Sequence, residues 1–352
     1  MSQLPQTADP LGPRTLNEDC SVQGRNSRFQ TWLRRTGLTL ETRRLGKSDL
    51  KITKVGVGTA PIGSTPEWRV WWGPQDEKSA ILAIQTAIDE GVNWIDTAPF
   101  YGWGKAEEIV GKAIKGRRDD VFVFTKCGTL PDGKGGSIEN HTPESIRKEV
   151  EASLKRLQTD YIDLLQFHDM DASTPIEQSW KTLQDLIRQG KVRNGGLSNH
   201  TVDLVERAER IGPVTSNQVQ YNPLQRKIEK DILPFSLSHH IGVLGWGSLA
   251  EGFLVDGFNL ASLDPKDFRR NHWYAQPENQ AKLERIRSAL SKIGRAHDKK
   301  MVDVVIAWEL MHPALTGAII GIRSEKEARE MRDGTELILS RDEMQEIERA
   351  TA

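Results

Sequence analysis

Gly91-Val92-Asn93-Trp94-Ile95-Asp96-Thr97-Ala98-Pro99-Phe100-Tyr101-Gly102 lies between two stretches with helical periodicity, residues 77–90 and 106–114. Gly91 closes the first of them, residues 94–98 form a short apolar strand-like run, and polar residues come at its end and just beyond. This unit recurs along the chain. Strand-like runs are predicted at 55–59, 94–98, 121–126, 161–168, 192–199, 216–221, 242–249 and 317–322. Apolar residues at i, i+3, i+4 and i+7 predict helices at 77–90, 106–114, 143–157, 176–188, 202–211, 231–239, 301–311 and 324–332. Thr142 ahead of Pro143 and Ser324 ahead of a charged turn are helix-starting signals, and Gly91, Gly190 and Gly212 predict left-handed C-terminal caps. Eight strand–helix units predict an α/β fold, a (β/α)8 TIM barrel with a parallel closed sheet. Residues 42–45 and 51–53, flanking Gly46-Lys47-Ser48, predict an N-terminal capping hairpin, and 278–297 and 341–350 predict extra C-terminal helices.

Bulk properties bound the function classes. The 352 residues carry a formal net charge of −1, which gives no reason to expect nucleic acid or an anionic membrane as a partner. No apolar run reaches the roughly 18 residues that span a bilayer. The cysteines, Cys20 and Cys127, stand far apart, so neither a disulfide framework nor a cysteine metal site is expected, and a cytoplasmic location is. Residues 1–40 lack a sustained apolar stretch and read as an irregular or flexible extension, in which Trp32-Leu33-Arg34-Arg35 is a docking candidate; residues 41–352 read as the barrel. The sequons at Asn140 and Asn199 are chance matches in that setting.

Asp96, Tyr101, Lys126 and His168 each fall at or just after a predicted strand end, where a barrel converges its side chains on one face. A phenol near an ammonium is expected to ionise more easily and deliver its proton, a carboxylate holds the ammonium, and an imidazole helps bind a carbonyl oxygen. That set suits carbonyl reduction, with Asp96, Tyr101, Lys126 and His168 as the catalytic residues. Taken singly, Asp96 reads as a cap and His168 as a satisfied core residue, whereas a lysine ending an apolar strand needs a buried partner.

Residues 91–102, followed by Glu107-Glu108-Ile109-Val110-Gly111, resemble the aldo-keto reductase signature. Val123-Phe124-Thr125-Lys126 and Leu164-Leu165-Gln166-Phe167-His168 are similar to its next blocks, in order. The resemblance implies hydride from a nicotinamide, which no side chain can supply. It implies that Ser198, Asn199 and Gln218 hold the carboxamide, and that Trp246 stacks on the nicotinamide. By the same comparison Gly247, Ser248, Leu249 and Ala250 wrap the pyrophosphate, and Thr59, Ala60, Gly321, Arg323 and Glu327 complete the cofactor-binding set. Arg323 near a helix start favours NADP, with NAD possible. Glu327 and Met331 depart from the Gln and Asn usual there; a carboxylate repels a 2′-phosphate and accepts ribose hydroxyls. Ala106 stands where Ser is common.

Trp68, Trp71 and Trp103, with Trp72, are expected to line the substrate pocket, or else an oligomer contact, pointing to a bulky aldehyde or ketone or a sugar. Residues 128–135 nearly spell a P-loop but carry Gly135 where Ser or Thr belongs, and read as a flexible loop over the pocket. The expected activity is reduction of a carbonyl to an alcohol by an NAD(P)H-dependent oxidoreductase. The alternative is a nucleotide-binding regulatory subunit on the same barrel; a barrel hydrolase would need paired carboxylates or a metal cluster, and the sequence offers neither at the strand ends.

Overall fold

The computed structural model describes residues 40–351; the expected N-terminal extension, including Trp32 to Arg35, lies outside them save for residue 40. Strands are numbered in chain order. β1 (Thr42–Arg44) and β2 (Lys51–Thr53) form the antiparallel hairpin. β3 (Val55–Gly58), β4 (Trp94–Asp96), β5 (Phe122–Cys127), β8 (Ile162–Phe167), β9 (Val192–Ser198), β10 (Ser216–Gln220), β11 (Gly242–Trp246) and β12 (Leu315–Gly321) close into a parallel barrel of eight strands. The (β/α)8 TIM barrel is therefore the observed fold.

The hairpin closes the N-terminal end because its apolar residues fit the barrel floor. Leu45, Leu50 and Ile52 pack with Trp94, Phe124, Leu164 and Leu244 in one buried cluster, at about 1.5–3 kcal/mol for each aliphatic side chain taken from water. The Trp94 ring lies across the floor and donates from Nε1 to Thr53 O at 2.9 Å. A Cβ at Gly56 would stand 2.1 Å from that ring, so this strand position requires glycine. Arg43 ties the hairpin to β12 through Leu315 O at 2.8 Å.

The helices follow the periodicity closely, Pro143–Leu157 and Ile176–Arg188 at the expected bounds. Thr142 caps the former by accepting from Ser145 N. Strands end where backbone turns left-handed: β9 stops before Asn199 (φ 59°) and β11 before Gly247 (φ 66°), each sooner than its apolar pattern suggested. Gly91 and Gly190 adopt the expected positive φ. Gly212 does not; a Cβ there would stand 2.5 Å from the Gln184 side chain, which would have to move aside. A second correction concerns residues 128–135. They are built around the antiparallel pair β6 (Thr129–Pro131) and β7 (Ser137–Glu139), not an open loop. The long connection after β11 folds into short 3-10 turns at Ala250–Gly252, Leu260–Ser262, Phe268–Asn271 and Trp273–Ala275 before the helix Pro277–Ala296. The terminal helix Arg341–Thr351 packs on Pro277–Ala296 at the outside.

Candidate active site

At the C-terminal ends of the strands the structure brings together all four residues that the sequence singled out. Asp96 ends β4, Lys126 lies one residue from the end of β5, and His168 follows β8. Tyr101 sits in the turn after β4. The Lys126 ammonium donates to Asp96 Oδ1 at 2.5 Å, to Thr97 O at 3.1 Å and to Tyr101 Oη at 3.1 Å. Both charged side chains are almost wholly buried, so each needs the other. Asp96 Oδ2 accepts from Gln218 Nε2 at 2.7 Å and from Gln166 Nε2 at 3.3 Å. The Tyr101 and His168 rings meet edge to face with centroids 5.8 Å apart.

Electrostatics differ in one respect from the expectation. Burial raises the Tyr101 phenol above its ordinary value, and the Lys126 ammonium offsets this only in part. The phenol therefore keeps its proton near neutrality. Because its oxygen accepts from Lys126, its own O–H is left to donate into the cavity. Burial pulls the Lys126 ammonium down, but Asp96 and Tyr101 outweigh it and the group stays charged. His168 is pushed well below its usual value by burial, then by Lys126 and His141, and is a neutral imidazole.

These groups open into a cavity of about 900 Å³ that runs from Tyr101 and His168 past Ser198, Asn199, Gln218 and Trp246 to Gly321, Arg323, Glu327 and Met331. Gly247, Ser248, Leu249, Thr59 and Ala60 also line it. Its length and its row of amide and hydroxyl groups fit an extended dinucleotide. Several residues do other work as well. Asn199 accepts from Trp246 Nε1 at 3.0 Å and donates to Asp169 at 3.1 Å, which fixes the indole plane. Gln218 spends its amide on Asp96. Thr59 Oγ1 donates to Asp96 O at 3.0 Å.

Three expected lining residues are not among those bounding the cavity. Ala250 is buried behind it at φ 48°. Trp71 does not bound it, while Trp68 and Trp72 of the same loop do. Trp103, at φ 54°, packs against Phe100 with centroids 5.3 Å apart and faces a separate cleft of about 540 Å³ with Pro131 and Arg156.

The adenosine end also departs from expectation. Arg323 lines the cavity, but its guanidinium donates to Trp72 O at 2.7 Å and to Gln75 Oε1 at 2.9 Å. Glu327 Oε2 accepts from Arg323 N at 2.5 Å and Ser324 N at 3.1 Å, closing a capping box on the helix Glu325–Glu330. Both features taken for a 2′-phosphate pocket are already engaged within the chain.

Sequence reasoning missed Gln166, fully buried beside Asp96, although a glutamine in an apolar strand was a visible signal. It also missed Phe268, His272 and Trp273, which reach the cavity from the loop after β11. Glu251 lines the cavity at φ 52°; burial raises its carboxyl to about 8, and its Oε2 has no partner. No group of three potential metal ligands occurs among the described residues, and no described helix is long and apolar enough to cross a membrane.

The sequence profile of the Aldo/keto reductase family matches residues 54–352. An aldo-keto reductase of Bacillus subtilis, YhdN, is 34% identical over 314 residues, covering 88% of this chain and 92% of its own. An NADH-specific methylglyoxal reductase of Escherichia coli is 32% identical, covering 81% of this chain and 90% of its own. Among solved structures, a glycerol dehydrogenase from Gluconobacter oxydans, AKR11B4, superposes with a TM-score of 0.79 at 33% identity, over 88% of this chain and 94% of its own.

Proposed function

The chain belongs to the aldo/keto reductase family, and from that premise we propose that it reduces a small aldehyde or ketone to the alcohol, using a nicotinamide dinucleotide. The observation that carries this reading is the chain of contacts from Asp96 through Lys126 to Tyr101 Oη at the cavity wall, with His168 alongside. When bound, the dinucleotide supplies a hydride. Ser198, Asn199 and Gln218 face the place for its carboxamide, Trp246 gives a stacking surface, and Gly247 to Leu249 line the stretch for the pyrophosphate. Tyr101 donates its proton to the carbonyl oxygen, and neutral His168 donates a second hydrogen bond to the same oxygen. Lys126 stays charged and steadies the phenol as it loses its proton, and Asp96 holds Lys126 in place.

Sequence reading favoured NADP through Arg323. With that guanidinium on the first βα loop and the Glu327 carboxylate over the helix start, the dinucleotide without a 2′-phosphate is the better fit. The NADH-specific E. coli relative points the same way. The substrate side is apolar and aromatic, with Trp68, Val70, Trp72, Phe100 and Phe268, which suits a compact carbonyl compound more than a charged one.

The test is to titrate the protein with NADH and NADPH, following tryptophan fluorescence, and then to add methylglyoxal, glyceraldehyde and an aromatic aldehyde while following oxidation of the dinucleotide. Quenching with NADH and turnover of at least one carbonyl are expected. Tight binding with no turnover on any of them would favour the regulatory-subunit alternative, and absence of binding would overturn both.

A further inference from the structure

Arg323 follows β12 at the adenosine end of the cavity, yet every acceptor of its guanidinium lies on the loop that follows β3. Nη1 donates to Trp72 O at 2.7 Å, Nη2 to Gly73 O at 3.3 Å and to Pro74 O, and Nε to Gln75 Oε1 at 2.9 Å. Gln75 returns a bond from Nε2 to Arg323 O at 3.2 Å. One rigid fork thus satisfies three consecutive loop carbonyls and the amide beside them, groups that would otherwise face solvent or each other. Trp68, Val70 and Trp72 of this loop line the cavity. Other ties reach the loop as well: Trp72 N donates to Ser64 Oγ, Phe268 N to Trp71 O and Arg69 to Ser137 Oγ. The Trp72 ring meets Phe268 and Arg269, and the Trp68 ring meets Phe100 and Tyr101. Among the described residues, however, only Arg323 binds the carbonyls of residues 72–74.

We infer that Arg323 is a positioning residue for the carbonyl substrate: it fastens residues 72–75 and thereby sets where Trp68, Val70 and Trp72 stand. This rests on the reading that the carbonyl lies at Tyr101 and the dinucleotide beyond it. The guanidinium keeps its charge across the working pH range, so the latch does not open with pH. It also gives the two ends of the cavity a shared element. A dinucleotide phosphate that drew Arg323 towards itself would release the substrate loop, so engagement of the loop and recognition of a 2′-phosphate compete for one side chain.

Two measurements test this. In the dinucleotide-free protein, hydrogen exchange of the amides of residues 64–75 should quicken about tenfold in Arg323→Gln, as expected for losing one charge-assisted anchor. In steady state the same variant should raise KM for the carbonyl roughly five- to tenfold while the dissociation constant for NADH changes less than about twofold. Arg323→Lys separates fork from charge. A point charge cannot span four acceptors, so the latch predicts that lysine fails to restore either exchange protection or KM. Gln75→Ala, which removes one acceptor, should move both readouts in the same direction by a smaller amount. The inference is overturned if Arg323→Gln leaves loop exchange and KM unchanged, or if it weakens NADPH binding tenfold and lysine rescues it. Should the wild type reduce no carbonyl at all, the proposed function fails, and exchange in the dinucleotide-free protein alone decides the latch.

Discussion

The two ends of the cavity are built on different principles. At the reaction end Asp96, Lys126 and His168 stand on or beside strand termini. The polar atoms of Asp96, Lys126 and Tyr101 meet each other, ammonium to carboxylate at 2.5 Å and ammonium to phenol at 3.1 Å, and the His168 ring meets the Tyr101 ring edge to face. At the adenosine end Arg323 and Glu327 stand on a loop and a helix of six residues, and their polar atoms meet main-chain groups. The first end is rigid because a barrel leaves no freedom at its strand ends. The second is assembled by tertiary contact between segments some 250 residues apart. On the proposed function, the scaffold then holds the reacting groups, and loops that lean on one another hold the groups at the adenosine end and around the substrate.

If this division is right, the largest effect belongs to the reaction end. Tyr101→Phe should lower carbonyl reduction by about 10²–10⁴-fold, the usual worth of a positioned acid, while NADH affinity stays within about threefold. A variant that still turns over would remove Tyr101 as proton donor and break the contrast outright. Lys126→Met leaves the Asp96 carboxylate buried without its cation and should cost about 3–5 kcal/mol of folding stability, read from denaturant midpoints. A loss below about 1 kcal/mol would mean that water reaches the pair.

The scaffold beneath the reaction end holds a third test. Glu309 lies in the helix Met301–Leu310 against β11, so close that a Cβ on Gly245 would stand 1.8 Å from its Oε1. Neither carboxyl oxygen makes a hydrogen bond of normal geometry, and the nearby Ser248 hydroxyl offsets the effect of burial only in part. Burial raises this carboxyl from 4.5 to about 8. The unfolded chain therefore releases the proton near pH 4.5 while the folded protein keeps it to about pH 8. Between those values rising pH favours the unfolded state, and the loss is complete above the upper one. Glu309→Gln should accordingly raise Tm relative to wild type more at about pH 8 than at about pH 5. Equal differences at both would show that Glu309 does not titrate in this window.

The smallest effect is expected where loops decide. Glu327→Gln uncovers the start of the helix Glu325–Glu330 and removes a negative charge, about 1 kcal/mol at such a position, so the NADPH-to-NADH ratio of dissociation constants should fall roughly fivefold. No change in that ratio would place discrimination elsewhere, with the exposed Lys326 at the cavity rim the next residue to substitute.

Which parts were legible follows the same division. The run from Gly91 to Gly102 contains a cap, a strand and the polar residues after it, all within one local segment, and local periodicity also located the other seven strands. Strand ends sharing one face then implied that Asp96, Tyr101, Lys126 and His168 meet, which needs no knowledge of loop paths. At the reaction end one expectation reversed in direction: the Tyr101 phenol is raised because burial outweighs the ammonium, and Gln218, which lines the cavity, also gives its Nε2 to the buried Asp96 carboxylate. Neither amount of burial nor competition among donors is written in a local pattern.

The sequence by itself determined the repeat of strand and helix, the closed barrel and the identity of the groups at its mouth, because period, caps and strand ends are properties of a few consecutive residues. Tertiary structure alone decided that Trp68 and Trp72 face the cavity while Trp71 and Trp103 do not, and that Arg323 grips the loop at Trp72. Those outcomes depend on where two loops meet after the barrel has closed. There a guanidinium bonds whichever carbonyls arrive, and the sequence positions of its partners carry no signal of the encounter.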